Sequence, residues 1–189
     1  MKHIEGESIK TKALQGGAKE AFAELWRYFY PRLQHFAASF HGLPVSEYED
    51  LVSDIIIKAF RSMDKYNPGY SLSTWVYRIA ENHFTDALRK MKRRSSLSIE
   101  DLDRKAPERV VSGDGPAEEA ADRDLLERCK TAIDTLEGDD KKIAFLKFYE
   151  SLSSSEIGRI LGIPPGTVRW RITMIRSFIG KTLGGFHED

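Results

Sequence analysis

Between Asp50 and Met63 the spacing of apolar residues admits one solution. Val52, Ile55, Ile56, Ala59, Phe60 and Met63 recur at 3-1-3-1-3 intervals, which places them on one face of an α-helix and on no single face of a strand. Asn67-Pro68-Gly69 then forces a turn, bracketed by Tyr66 and Tyr70. A second helical pattern follows, with Ser71 or Ser73 able to cap it and Val76, Tyr77, Ala80, Phe84, Ala87, Leu88 and Met91 facing inward. Upstream, Ala18, Phe22, Leu25, Trp26 and Phe29, then Leu33, Phe36, Ala37 and Phe40, predict two helices between Ser8 and about His41, with Pro31 placed to begin the second. The expected fold class is all-α.

The outward faces of the middle pair carry more chemistry than solvation requires. On the first helix Asp50, Asp54, Lys58 and Arg61 form a charged face, with Asp54 and Lys58 in the favourable acid-before-base order. Ile57 projects among them at about 140° from the apolar centre, counting roughly 100° per residue, and an apolar knob ringed by charge suits protein docking. On the second helix Trp75, Arg78, Asn82, Arg89 and Arg93 fall along one line, supplying a stacking ring, an amide for a base edge and cations for phosphates. The run Arg89, Lys90, Lys92, Arg93 and Arg94 also suits the negative end of the helix dipole, but that accounts for one or two cations and not for five.

From Ser95 to about Pro116 the periodicity stops and Ser, Pro, Gly and acids accumulate, as expected of a connection between domains rather than within one. Beyond it Ala121, Leu125, Cys129, Ala132, Ile133 and Leu136 trace an amphipathic helix, and residues 143–149 a second, apolar one. A short helix begins near Ser154, with Ser153 or Ser154 as cap, and turns Ile157, Ile160 and Leu161 inward. Gly162 ends it in the left-handed conformation, and Pro164-Pro165-Gly166 launches the next helix. There Val168, Ile172, Ile175 and Ile179 face the core, Arg169, Trp170, Thr173 and Met174 point outward, and Arg171 and Arg176 flank them. This is a helix-turn-helix with a cation-rich reading face.

The formal net charge of zero conceals a segregation. Residues 1–94 hold 15 Lys+Arg against 11 Asp+Glu, residues 95–140 hold 6 against 14, and residues 141–189 hold 8 against 4. Two basic modules flanking an acidic tether suit a protein that meets a polyanion twice. No stretch of 18 or more apolar residues occurs, and the first ten residues carry no apolar signal core, so a cytoplasmic protein is expected. Cys129 has no disulfide partner and sits at an apolar helical position, where it fills space. His35 and His41 lack ligand-spaced neighbours, Asp86 stands alone, and no phosphate loop or nucleophile–base pair is present. Neither enzyme, cofactor nor metal is expected.

In this order and at this separation, DLVSDIIIKAF, STWVYRIAENHFTDALRKMKRR and EIGRILGIPPGTVRWRI resemble regions 2.2, 2.3–2.4 and 4.2 of bacterial sigma-70-type RNA polymerase sigma factors, in the short extracytoplasmic-function class. The resemblance covers about Ala18–Arg94 and Leu125–Leu183. It implies a region 2 domain over 1–94, a flexible acidic linker over 95–116 threading the nucleic-acid channels of polymerase, and a region 4 domain over 117–189. Asp50, Asp54, Ile57, Lys58 and Arg61 would dock on the clamp helices of the largest polymerase subunit. A further contact to the flap of the second-largest subunit is implied. Tyr66, Asn67, Ser71, Arg78, Asn82, Arg89, Lys90, Arg93 and Arg94 would hold the opened minus-ten strand. Thr167, Arg169, Trp170, Arg171, Thr173, Met174 and Arg176 would read the minus-thirty-five element in the major groove. An anti-sigma protein covering both DNA faces is implied as a further partner.

Trp75 occupies the STW position of the family, where it either stacks on a base or supports the loop. Three residues depart from the pattern: Ser53 stands where Gln is common, Trp170 where a small residue sits in GTVRSR, and Met174 where a basic residue is frequent. The last two exchange polar for apolar contacts on the reading face, with a thymine methyl as a suitable partner. A free-standing helix-turn-helix regulator of duplex DNA is the alternative, and it leaves the row from Trp75 to Arg93 without a role.

Overall fold

The computed structural model describes residues 6–95 and 128–183. Every regular element among them is helical: α1 (Gly6–Leu14), α2 (Ala18–Ala37), α3 (Tyr48–Arg61), α4 (Leu72–Ser95), α5 (described over 128–134), α6 (Gly138–Ala144), α7 (Ser154–Leu161) and α8 (Pro165–Thr182), with 3₁₀ turns at Val45–Glu47 and Met63–Lys65. The segment expected as a linker, and Ala121 and Leu125 beyond it, lie outside the described residues.

The first helical region differs from expectation in where it breaks. The interruption falls at Gly16, whose φ of 96° is cheap only for glycine, and α2 runs straight through Pro31. An interior proline costs about 3 kcal/mol because it loses a backbone bond and crowds the preceding turn. Ala21, Leu25, Phe29, Leu33 and Phe36 nevertheless form an unbroken buried stripe along the helix, and burying each large apolar side chain returns about 1.5–3 kcal/mol. Leu33 and Phe36, both beyond the proline, suffice to keep the helix going. Ala18 is exposed, and Phe22 and Trp26 are half-buried rather than central.

The core pattern of α3 and α4 matches the spacing. Val52, Ile55, Ile56, Ala59 and Met63 are buried, as are Val76, Tyr77, Ala80 and Phe84, while Phe60, Ala87, Leu88 and Met91 are half-buried. Ser71 caps α4: its hydroxyl accepts from the Thr74 amide at 3.2 Å, and its carbonyl accepts from the Trp75 amide. At the C-terminal end Ser153 Oγ accepts from the Glu156 amide while the Glu156 carboxylate accepts from the Ser153 amide at 2.9 Å, a reciprocal cap on α7. Gly162 has φ 71°, closing the turn into α8, whose buried face is Val168, Ile172 and Ile175. Residues 145–149, expected to continue an α-helix, widen into a π-turn in which the Glu150 amide reaches back to the Phe145 carbonyl.

One hydrophobic cluster joins the N-terminal bundle to the C-terminal helices. Phe145 packs its ring 5.5 Å from Phe36 and 6.0 Å from Tyr77, and Phe36 in turn meets Phe40 and Phe84. Polar contacts cross the same boundary. Lys142 Nζ lies 2.8 Å from Glu81 Oε1, with both side chains largely buried, and Arg32 lies 3.5 Å from Glu150. The Ser71 and Thr74 hydroxyls donate to Glu156 Oε1 at 2.8 and 3.1 Å.

Two outcomes are expected. Phe36→Ala, which removes a ring touched by four others, destabilises the protein by about 3–5 kcal/mol in denaturant titrations. Burial raises the Glu156 carboxyl, but hydrogen bonds from Ser153, Ser71 and Thr74 outweigh it and hold the pKa below the ordinary 4.5. A depressed acid stabilises above its unfolded-state value and loses that contribution as pH falls through the lowered one. Wild type should therefore melt above Glu156→Gln at neutral pH, with the gap closing below pH 4.5.

Candidate nucleic-acid interface

The charged face of α3 stands free of the core, as the turn-by-turn rotation requires. Asp50, Asp54, Lys58 and Arg61 are exposed, and Ile57 is half-buried among them. Acids occupy the first turn of α3 (Glu49, Asp50) and cations the last (Lys58, Arg61), so the face is also matched to the helix dipole. His83 of α4 lies 3.9 Å from Asp54. Burial lowers the His83 pKa, Lys58 and Lys90 lower it further, and Asp54 and Asp86 oppose them, so the imidazole is neutral at physiological pH.

The loop between α3 and α4 is built from its own side chains. Asn67 Oδ1 accepts from the Gly69 amide at 2.8 Å, and Tyr66 donates its hydroxyl to the Tyr70 carbonyl at 2.7 Å. The Tyr66 ring is 3% exposed and packs 5.4 Å from the half-buried Trp75, so the two aromatics brace the loop from beneath. Lys10 reaches in from α1 to donate to the Tyr66 carbonyl at 2.6 Å. Asn67 and Tyr70 are exposed at the loop surface, where a nucleotide could reach them.

Along α4, Arg78, Asn82, Arg89, Lys90, Arg93 and Arg94 are exposed. Arg78 donates to the Arg159 carbonyl at 3.2 Å, and Arg89 lies 3.2 Å from Asp86. Arg78, Asn82 and Arg89 line a cleft of about 490 Å³ whose opposite wall is the end of α7 from Arg159 to its cap Gly162. The cleft is mixed in charge, since Glu81 and Asp86 also border it.

On α8, Arg169, Trp170, Thr173, Met174 and Arg176 form an exposed strip, with Trp170 63% and Met174 52% exposed. Thr167 is half-buried at its start. Arg171 sits apart from the strip: half-buried, it lies 3.0 Å from Asp140 and 4.0 Å from Asp139, fastening α8 to the first turn of α6. The guanidinium of Arg176 lies 6.0 Å from the Phe148 ring.

Lys10, Thr74, Glu81, Lys142, Glu156 and Arg159 were not singled out by sequence reasoning. Only the Ser153-x-x-Glu156 spacing could have signalled one of them, as a capping pair. The others act through partners distant in the chain. Among the described residues no group of three or more His, Cys, Asp or Glu could hold a metal ion, and no helix is long and apolar enough to cross a membrane.

Comparison with known proteins matches this geometry. The Sigma-70 region 2 family model matches residues 25–94, and the Sigma-70 region 4 model matches residues 126–179. The ECF RNA polymerase sigma factor SigW of Bacillus subtilis is 29% identical over 178 residues, 92% of this chain and 95% of its own. The ECF RNA polymerase sigma-E factor of Escherichia coli is 30% identical over 181 residues, 92% of each chain. Among solved structures, the Bartonella quintana sigma factor RpoE, in complex with the anti-sigma factor NepR, superposes with a TM-score of 0.66 at 24% identity, covering 88% of this chain and 98% of that one. CnrH, in complex with the cytosolic domain of CnrY, superposes at 0.61 and 21% identity over 95% and 97% of the two chains. With both regions matched in order and relatives similar across nearly their whole length, the chain belongs to the extracytoplasmic-function class of RNA polymerase sigma factors.

Proposed function

We propose that this sigma factor docks on core RNA polymerase through Asp50, Asp54, Ile57, Lys58 and Arg61, and opens promoter DNA with the α3–α4 loop and the exposed row of α4. The reading is supported above all by that row. Arg78 and Asn82 offer a guanidinium and an amide one helical turn apart beside a braced loop, suited to a base edge in an unpaired strand. Arg89, Lys90, Arg93 and Arg94 continue toward the end of the helix and grip phosphates without reading sequence.

Within the loop Asn67 and Ser71 are the polar groups that meet the captured strand, while Tyr66 and Trp75 hold its shape. The exposed strip of α8, with Thr167, Arg169, Trp170, Thr173, Met174 and Arg176, enters the major groove. Trp170 and Met174 bring apolar surface to thymine methyls, and Arg171 contributes by seating α8 on α6.

Domain limits of 1–94, 95–116 and 117–189 accompany this reading, as do flap contact with the second-largest polymerase subunit and regulation by an anti-sigma protein. The protein supplies specificity and strand capture in the cytoplasm, and polymerase supplies the chemistry.

Core polymerase with this protein should initiate transcription at a cognate promoter where neither alone does. Failure of core to retain the protein in a pull-down would overturn the docking assignment. Arg78→Ala and Asn82→Ala should each lower promoter opening, read by permanganate reactivity of unpaired thymines, by roughly tenfold, the size of a ~1–3 kcal/mol base contact. Retention on core should stay unchanged in both variants; equal loss of the two properties would remove Arg78 and Asn82 from strand capture. Promoter binding should also weaken steeply with added salt, because the cations release counterions from DNA.

A further inference from the structure

The loop between α3 and α4 is anchored by Tyr66, and Tyr66 is held by α1. Asn67, Pro68, Gly69 and Tyr70 are exposed, and the turn they form closes through the Tyr70 amide on the Asn67 carbonyl at 3.1 Å. A turn with this much exposed backbone belongs to the less stable end of a fold and keeps one shape only where its neighbours impose it. Tyr66, through which the chain enters the turn, is buried, and two residues of α1 meet it.

Lys10 Nζ donates to the Tyr66 carbonyl at 2.6 Å, a charged donor on a backbone acceptor. Gly6 is buried against the Tyr66 ring, and a methyl group there would fall 2.7 Å from the ring carbon that bears the hydroxyl. Glycine permits this close approach, and the ring has no easy retreat. Trp75 backs it at 5.4 Å, and its hydroxyl is committed to the Tyr70 carbonyl at 2.7 Å. Gly6 and Lys10 are four residues apart and therefore share one face of α1. The helix has its own hold on the bundle, with Ile9 fully buried and Lys12 2.9 Å from Glu24 of α2.

We propose that α1 positions the strand-capturing loop, with Lys10 and Gly6 as positioning residues that act through Tyr66 and touch no DNA. This rests on the functional reading above. Fixing the Tyr66 carbonyl from one side and its ring from the other sets where Asn67 and Ser71 stand relative to Arg78 and Asn82. A loop that samples other shapes binds only through its competent fraction, so a loop in the right shape one time in ten captures a strand about tenfold more weakly.

The test uses the full chain with core polymerase, on a promoter that the wild-type holoenzyme selects from a random duplex library. Lys10→Met should lower opening, read by permanganate reactivity of unpaired thymines, by about tenfold with retention on core unchanged. Lys10→Arg, which restores a charged donor, should recover most of the loss. Gly6→Ala should lower opening by a similar factor although alanine is the better helix former, because the methyl displaces the Tyr66 ring. A second readout is taken on the free protein in a background of Trp26→Phe with Trp170→Phe, which leaves Trp75 as its one tryptophan. There Lys10→Met and Gly6→Ala should each move Trp75 emission to longer wavelength before any DNA is present, since the ring packed on it has shifted.

Loss of opening with unaltered Trp75 emission would make Lys10 a direct phosphate contact and overturn the positioning role. Full opening by both variants would overturn it too, as would equal loss of opening and of core retention, the mark of a general stabiliser of the bundle. Should Gly6→Ala fail to fold, Lys10→Met and Lys10→Arg still decide the question. Normal opening by Arg78→Ala and Asn82→Ala would refute strand capture by α4 itself, whereas loss in those two with normal opening in Lys10→Met refutes only the role of α1.

Discussion

The ring of Phe145 is the point on which the rest of the architecture depends. It leaves a π-turn and lodges against Phe36 and Tyr77, both fully buried, so the cores of two small helical units become one. Small domains bury a low fraction of their surface and are only marginally stable alone. Sharing aromatic surface adds buried apolar area to both halves. The polar contacts of the seam, Glu81–Lys142, Arg32–Glu150 and Glu156 with Ser71 and Thr74, lie across the same boundary.

Those polar contacts are unequal. Lys142 and Glu81 are largely removed from water, and a buried pair adds little net stability because desolvation offsets attraction. Removing one partner, however, leaves an unpaired buried charge and costs about 3–5 kcal/mol. The pair therefore matters more for what its disruption costs than for what its presence adds. Glu156 is of another kind, partly solvated and shared between its own helix cap and the hydroxyls of α4. Its contribution divides between local and long-range order, and the hydrogen bonds on both sides favour the ionised form.

On α4 the exposed Arg78 and Arg89 are each held by a partner within the protein. Arg78 donates to the Arg159 carbonyl through a bond that lies open to water, and such a bond adds little net stability. Tyr66 is buried and Trp75 half-buried, and their rings pack against each other beneath the loop. Arg171 is likewise withdrawn, to Asp140. Chemical type alone does not separate a reading group from one that props it.

Periodicity in the chain determined that the protein is helical, which faces of α3, α4 and α8 turn inward, and where Gly162 closes the helix-turn-helix. These are local consequences of 3.6 residues per turn and of a left-handed glycine. The paired motifs determined the family for the same reason, being contiguous along the chain. Periodicity misplaced the first break, because the cost of Pro31 is weighed against burial of Leu33 and Phe36, a sum that exists only once α2 has something to pack on. The docking of Phe145 on Phe36, the Glu81–Lys142 pair and the hold of Glu156 on Ser71 were decided by tertiary structure alone. Each joins residues about 60 to 110 positions apart, and no local rule of spacing or propensity carries information over that distance.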